Sequence, residues 1–174
     1  MSSLVAASSS IAPATMQRVS SPEEAREVSD FLLQPNLFGT PLTPGEREEF
    51  RQGPLSSICH PQDAFWFFRD PAGKICAAMG IRMHHYQTGI FEVVAMAVHS
   101  SARRLGLGRR LLDCALDHVP RSGGRGLLFE TSSHGSYEPM RHLLADSGFS
   151  QVGCFPGFYY PGEDTLWYFR DAQP

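Results

Sequence analysis

A chain of 174 residues, 42% hydrophobic and 19% charged, is long enough for one domain with a substantial core and short for two. A formal net charge of -3 gives no electrostatic case for nucleic acid or an anionic membrane surface, and no apolar run reaches membrane-spanning length. Cys59, Cys76, Cys114 and Cys154 form no Cys-x-x-Cys pair, so neither a metal nor a disulfide scaffold is expected, and a reducing cytoplasm is.

Residues 1–16, MSSLVAASSSIAPATM, lack the basic start of a secretory signal and read as a flexible tail, with the domain spanning 17–174. Gln17–Ser20 suits a short first strand. SPEEAREVSDFLL then predicts a helix, with Ser21 as N-cap, Pro22 at the first helical position and Glu24 completing a capping box. TPGEREEF repeats that start signal with Thr43, Pro44 and Glu46, predicting a second, short helix. QPNLFGTPL and GPLSSICHPQD, rich in Pro and Gly, read as loops. AFWFFRD, the turn PAG and KICAAMGIRM make a hairpin, and the nearly continuous apolar run GIFEVVAMAVHS suits a strand buried on both faces. A helix from Gly106 to Val119 follows, apolar along Leu107, Leu111, Leu112, Ala115, Leu116 and Val119. GLLFET is a further strand, SYEPMRHLLADSG a helix with Ser136 as N-cap, and FSQVGCFPGFYY with TLWYFR a closing hairpin. The order predicts one mixed α/β sheet with helices on its faces.

The segment RRLGLG lies between an apolar strand and an amphipathic helix, an arrangement that aims backbone N–H groups and a helix dipole at an anion. Gly106 and Gly108 would let the main chain approach it, and Arg103, Arg104 and Arg109 would add positive charge. Neither a dinucleotide fingerprint nor a P-loop fits, because the third glycine and the Gly-Lys-Ser/Thr run are both missing. On shape alone the residues also suit a glycine-softened helix entry with solvent-facing arginines.

Arg103-Arg104-Leu105-Gly106-Leu107-Gly108 resembles the R/Q-x-x-G-x-G/A signature of the GNAT superfamily of N-acetyltransferases. Downstream, ETSS, YEPMRHLLADSGF and GFYYPGEDTLWYFR resemble a subgroup of it carrying E-T-S-S, Y-E-P and a closing D-F-Y-x-P-G-D-D hairpin. The resemblance implies a single-domain GNAT-like fold, a mixed, mostly antiparallel sheet with helices on both faces. It also implies acetyl-CoA as co-substrate, with no metal. Main-chain groups of Met96, Ala97 and Val98 would pair with the pantetheine arm. The pyrophosphate would rest on backbone amides from Arg104 to Arg109, including Leu105 and Leu107, with Arg103 nearby. Ser133 and Tyr137 would line the arm's other side.

Acetyl transfer to an amine needs a neutral nitrogen, and a lysine-like amine is neutral only about once in 10³ at pH 7. A general base is the usual remedy. Glu92 is the one charged residue of IFEVVAMAV, and an unpaired carboxylate there would be costly to bury. It stands fourteen residues before Gly106, as the catalytic glutamate does in the histone-acetylating branch of the family. Glu130 is the second candidate, on a strand where members acetylating protein N-termini carry a glutamate. Many members place a tyrosine four residues before the Gly-Phe ending the late helix, to protonate the departing thiolate. Leu144 stands there, leaving Tyr137, Tyr159, Tyr160 or solvent to serve. The expected activity is therefore acetyl transfer to a primary amine, of a small molecule or a protein, by direct attack, with the Val98 N–H polarising the carbonyl. The alternative is an acyl-CoA-binding sensor keeping the cleft without turnover. Phe31–Cys59 and Tyr159–Thr165 would shape the acceptor pocket, and the final hairpin offers a contact for a homodimer.

Overall fold

Two proline-led capping boxes open the described part of the chain, residues 15–172 of a computed structural model. Ser21 and Thr43 each accept from the N–H three residues on, while Glu24 and Glu46 reach back to the cap N–H groups. Each reciprocal pair satisfies donors that a helix start otherwise leaves orphaned. The first box starts α1 (Pro22–Leu32) and the second α2 (Pro44–Cys59).

The second helix is longer than the sequence suggested. It runs straight through GPLSSIC, which reads as a loop. Proline removes one helical hydrogen bond, yet Phe50, Pro54 and Ser57 recur at helical spacing and are all buried, so packing overrides the local breaker. Ser57 Oγ donates to the Pro54 carbonyl, and Ser29 Oγ on α1 donates to that of Arg51, tying the two helices together.

Seven strands form one sheet: β1 (Met16–Arg18), β2 (Ala64–Arg69), β3 (Ile75–Met83), β4 (Ile90–Val98), β5 (Gly126–Ser132), β6 (Ser150–Tyr160) and β7 (Glu163–Asp171). Their spatial order is β1-β2-β3-β4-β5-β7-β6, antiparallel throughout except for the parallel pair β4–β5. Met16, the last residue of the segment read as tail, belongs to β1; residues 1–14 of that segment lie outside the described residues. The aromatic run on β2 alternates across the sheet. Phe65 and Phe67 pack beneath α1 and α2, while Trp66 and Phe68 join the core on the opposite face, under α3 (Leu107–Arg121) and α4 (Glu138–Asp146). Helices thus cover both faces. The sheet has edges at β1 and β6, and on β6 Phe155, Phe158 and Tyr160 are exposed.

One extra residue sets the geometry of the centre. Gly80 of β3 faces Ala95 of β4, and Ile81 faces Val93, so Val94 is a bulge. A bulge bends its strand and raises the local twist. Immediately before it, Ile90, Phe91 and Glu92 pair with Gly126, Leu127 and Leu128 of β5. Beyond it β4 has no partner on that side among the described residues, and β5 continues alongside β7 instead. The two middle strands splay apart like an opened V.

Candidate active site

A cleft fills the splay and has two lobes. The first, with a cavity volume of about 550 Å³, lies between the far half of β4, the RRLGLG turn and the start of α4. His99 N–H donates to the Cys76 carbonyl at 2.8 Å, which makes that pair hydrogen-bonded across β3–β4. Antiparallel alternation then ties Ala97 to β3 and turns the main-chain groups of Met96 and Val98 toward the opening. The cleft wall is therefore a sheet edge.

The turn at its end differs from the other helix starts. The N-cap of α3 is Gly106, in the left-handed region at φ 74°, and among the described residues no side chain caps it. Its first-turn N–H groups keep no intrahelical acceptor, and the helix dipole adds to them. Gly108 serves a separate purpose: a Cβ there would lie 3.1 Å from Leu143 Cδ2 and 3.3 Å from Met96 Cε, so its bareness lets α3 settle against β4 and α4. Loop 37–41 forms the roof, pressed onto the 3-10 turn Gly135–Tyr137, because a side chain on Gly39 would collide with Ser136. Ser136 Oγ is held by His134 Nδ1 at 2.7 Å, and α4 starts after Tyr137 with no side-chain cap, not at Ser136 as its sequence suggested.

The second lobe, of about 360 Å³, lies between α2, the near half of β4, β5 and the final hairpin. Glu46, Glu49, Glu92, Glu130 and Glu163 all line it, against one cation, Arg82. Arg82 donates from Nε to Glu92 Oε1 at 2.6 Å and from Nη1 to Glu49 Oε2 at 2.5 Å. Glu130 accepts from Tyr159 Oη and Trp167 Nε1, both at 3.0 Å, through different oxygens. Burial, and then the Glu130 carboxylate beside it, hold the Tyr159 phenol well above the ordinary tyrosine range, so it stays protonated. Among the described residues, no group of His, Cys, Asp and Glu is placed to hold a metal ion, and no helix is long and apolar enough to cross a membrane.

The profile of the acetyltransferase (GNAT) family matches residues 31–149, well over half of the chain. The chain belongs to the GNAT acetyltransferase family. Its fold is similar to that of a protein from Desulfovibrio desulfuricans described as a GNAT-family acetyltransferase, at 24% identity and TM-score 0.78, covering 92% of this chain and 99% of that one. A GNAT acetyltransferase from Staphylococcus aureus Mu50 matches at 15% identity and TM-score 0.71, over 91% and 100%. An aminoglycoside 6'-N-acetyltransferase in complex with coenzyme A matches at 17% identity and TM-score 0.66, over 92% and 98%. No curated protein sequence matches.

In this GNAT chain, Met96, Ala97, Val98, Arg103, Arg104, Gly106, Leu107, Gly108, Arg109 and Tyr137 all border the first lobe. The other two residues expected at the cofactor do not. Leu105 is 55% exposed and outside the lining, and Ser133 is bound to Asp164 through both its N–H and its hydroxyl, holding β5 to the final hairpin. Ala97 spends its main-chain groups on β3, leaving two residues and not three to face the opening. The Arg109 side chain is drawn away from the turn, to Asp113 Oδ1 at 3.1 Å and the Asp146 carbonyl at 3.0 Å. Glu92, Glu130 and Tyr159 meet in the second lobe. Glu92 meets a partner that offsets the cost of burying its charge: Arg82 stands opposite it in the β3–β4 register. Arg82 escaped sequence reasoning, and Glu49 and Thr40 fell within Phe31–Cys59 without being singled out. The hairpin register would have found the first, and the one-turn spacing of Glu46 and Glu49 the second.

Proposed function

We propose that this chain moves an acetyl group from acetyl-CoA to a primary amine of a small, cationic molecule, by direct attack of the amine on the thioester. The observation that carries this reading is the two-lobed cleft at the splay: an uncapped helix start and a sheet edge paired to no strand among the described residues in one lobe, where the Val98 carbonyl accepts from Arg103 Nε at 3.3 Å, and five glutamates in the other. Main-chain groups of Met96 and Val98 would hold the pantetheine arm, and the amides of Arg104–Arg109 the pyrophosphate, with Arg103 and Arg104 adding charge. Bound there, acetyl-CoA supplies an activated acyl group. The Val98 N–H is the candidate to polarise its carbonyl.

Glu92 is the better candidate base. Both carboxylate oxygens of Glu130 are occupied by Tyr159 and Trp167, whereas among the described residues Glu92 Oε2 carries no hydrogen bond. Glu130 then acts by fixing Tyr159, and Glu92 takes the ammonium proton directly or through water. The acidic lining and a volume within the small-ligand range favour a cationic small molecule over a folded protein surface. The aminoglycoside acetyltransferase among the structural neighbours agrees with that choice.

A second reading, a sensor that binds acyl-CoA without turnover, draws on Leu144, which is fully buried in the core at the position where many relatives hold a tyrosine. Titration of acetyl-CoA, followed by thiol release across a panel of mono- and polyamines, decides between them. Binding with thiol release that favours polyamines is the expected result. Tight binding with silence across the panel leaves the sensor, and no binding removes both.

A further inference from the structure

The two lobes of the cleft share four residues, Phe38, Met96, Met140 and Tyr137, and Tyr137 is the only one of them with a polar side chain. An acyl group passing from a carrier in one lobe to an acceptor in the other crosses that junction. When the amine displaces the carrier, the C–S bond breaks and sulfur leaves with the electron pair, so it needs a proton at the same place.

We infer that Tyr137 is the residue that donates its phenolic proton to the departing thiolate. This rests on the acetyl-transfer reading above and names the acid for it. Leu144 is sealed in the core beneath α3 and reaches neither lobe. Tyr159 and Tyr160 border only the acceptor lobe. Tyr137 enters from the turn that starts α4, and its hydroxyl lies 3.0 Å from Thr40 Oγ1 on the roof loop. Thr40 holds the phenol in place and offers a hydroxyl path for its reprotonation. The groups facing Tyr137 from other elements, Glu46 on α2 and Glu163 on β7, are acidic; with burial as the larger cause, they keep the phenol in its protonated form. The protons balance. The ammonium gives one proton to Glu92 before attack and a second to water once the C–N bond has formed, and sulfur receives one from Tyr137 as the C–S bond breaks. A proton returned from water by way of Thr40 restores the phenol, and Glu92 passes its own to water, so one proton is released per turnover.

The test is Tyr137→Phe, which keeps the ring and removes the hydroxyl, read in two ways. Turnover should fall by about 10²-fold with the KM for acetyl-CoA nearly unchanged. Independently of turnover, the thiol of bound coenzyme A, titrated by its ultraviolet thiolate absorbance, should be about tenfold less ionised at a given pH than in the parent protein, since a hydroxyl donor favours the thiolate. Thr40→Val should show a smaller change in both readouts, and Tyr159→Phe should leave the thiol titration where it was. If Tyr137→Phe leaves rate and thiol titration unchanged, or if Tyr159→Phe moves the thiol instead, Tyr137 is not the acid while the acetyl-transfer reading stands. If the parent protein binds no coenzyme A, both fall together.

Discussion

At the scale of single residues, the acceptor lobe is a contest over which carboxylate remains able to take a proton. Glu92 gives one oxygen to Arg82 and keeps the other, while Glu130 gives both to Tyr159 and Trp167. Glu92→Gln should therefore lower kcat by about 10²-fold or more while leaving the KM for acetyl-CoA within about twofold. Glu130→Gln keeps an acceptor for only one of its two donors, so its damage should be milder and show first in the acceptor KM. Steady-state kinetics on the two variants checks the ranking, and equal losses would mean that Glu130 also handles the proton. The type and approximate place of these glutamates were legible in the sequence, because a lone charge in an apolar strand stands out. Their partners were not. Arg82 is ten residues from Glu92 along the chain and meets it only through hairpin register, which also depends on the Val94 bulge.

At the scale of elements, the start of α3 carries two glycines for different reasons. Gly106 needs its left-handed φ of 74° and has open space around the missing Cβ. Gly106→Ala should cost about 1–2 kcal/mol from the backbone alone, lowering Tm by roughly 2–8 °C for a domain of this size. At Gly108 the obstacles are ends of flexible side chains, Leu143 and Met96, and alanine favours a helix interior. Gly108→Ala should stay closer to the parent in thermal unfolding. The other end of α3 predicts a pH response. His118 sits edge-on to Trp66, with Nε2 at 2.9 Å from the Gln62 carbonyl, and burial pushes its imidazole below the ordinary value of about 6.5. In that window the unfolded chain binds the proton that the folded one refuses, so stability falls as pH drops through and below the usual histidine range. Urea unfolding between pH 7 and 5 should show this loss, and His118→Phe should flatten it. Most elements were readable from caps and periodicity, α1 with its box at Ser21 and Glu24 being the clearest. α2 was misjudged because a Gly-Pro pair looks like a stop, and only the buried partners of Phe50 and Pro54 reveal that it is not one.

At the scale of the whole molecule, the sheet is continuous on either side of a central opening. A ligand pairing with Met96 and Val98 would extend the hydrogen bonding of β4 where β5 has turned away. Acetyl-CoA should slow amide hydrogen exchange selectively at Met96 and Val98, with little change at Ala97, whose N–H already faces β3. At about a hundredfold excess over Kd it should also raise Tm by roughly 5–10 °C. Uniform slowing along β4 would mean rigidification without a new edge pairing. The V itself was invisible in the sequence, because Val94 is an ordinary strand residue, and its surplus appears only when the β3 and β4 pairings are compared one by one.

That surplus sets rigidity and chemistry against each other at a single position. Excising Val94 would bring the pairing of β3 and β4 back into step and remove the kink that parts the middle strands. Such a protein would gain cohesion where this one now leaves a vacancy, and it would lose the cleft between β4 and β5. Efforts to harden this fold should spare the one miscount on which its usefulness depends.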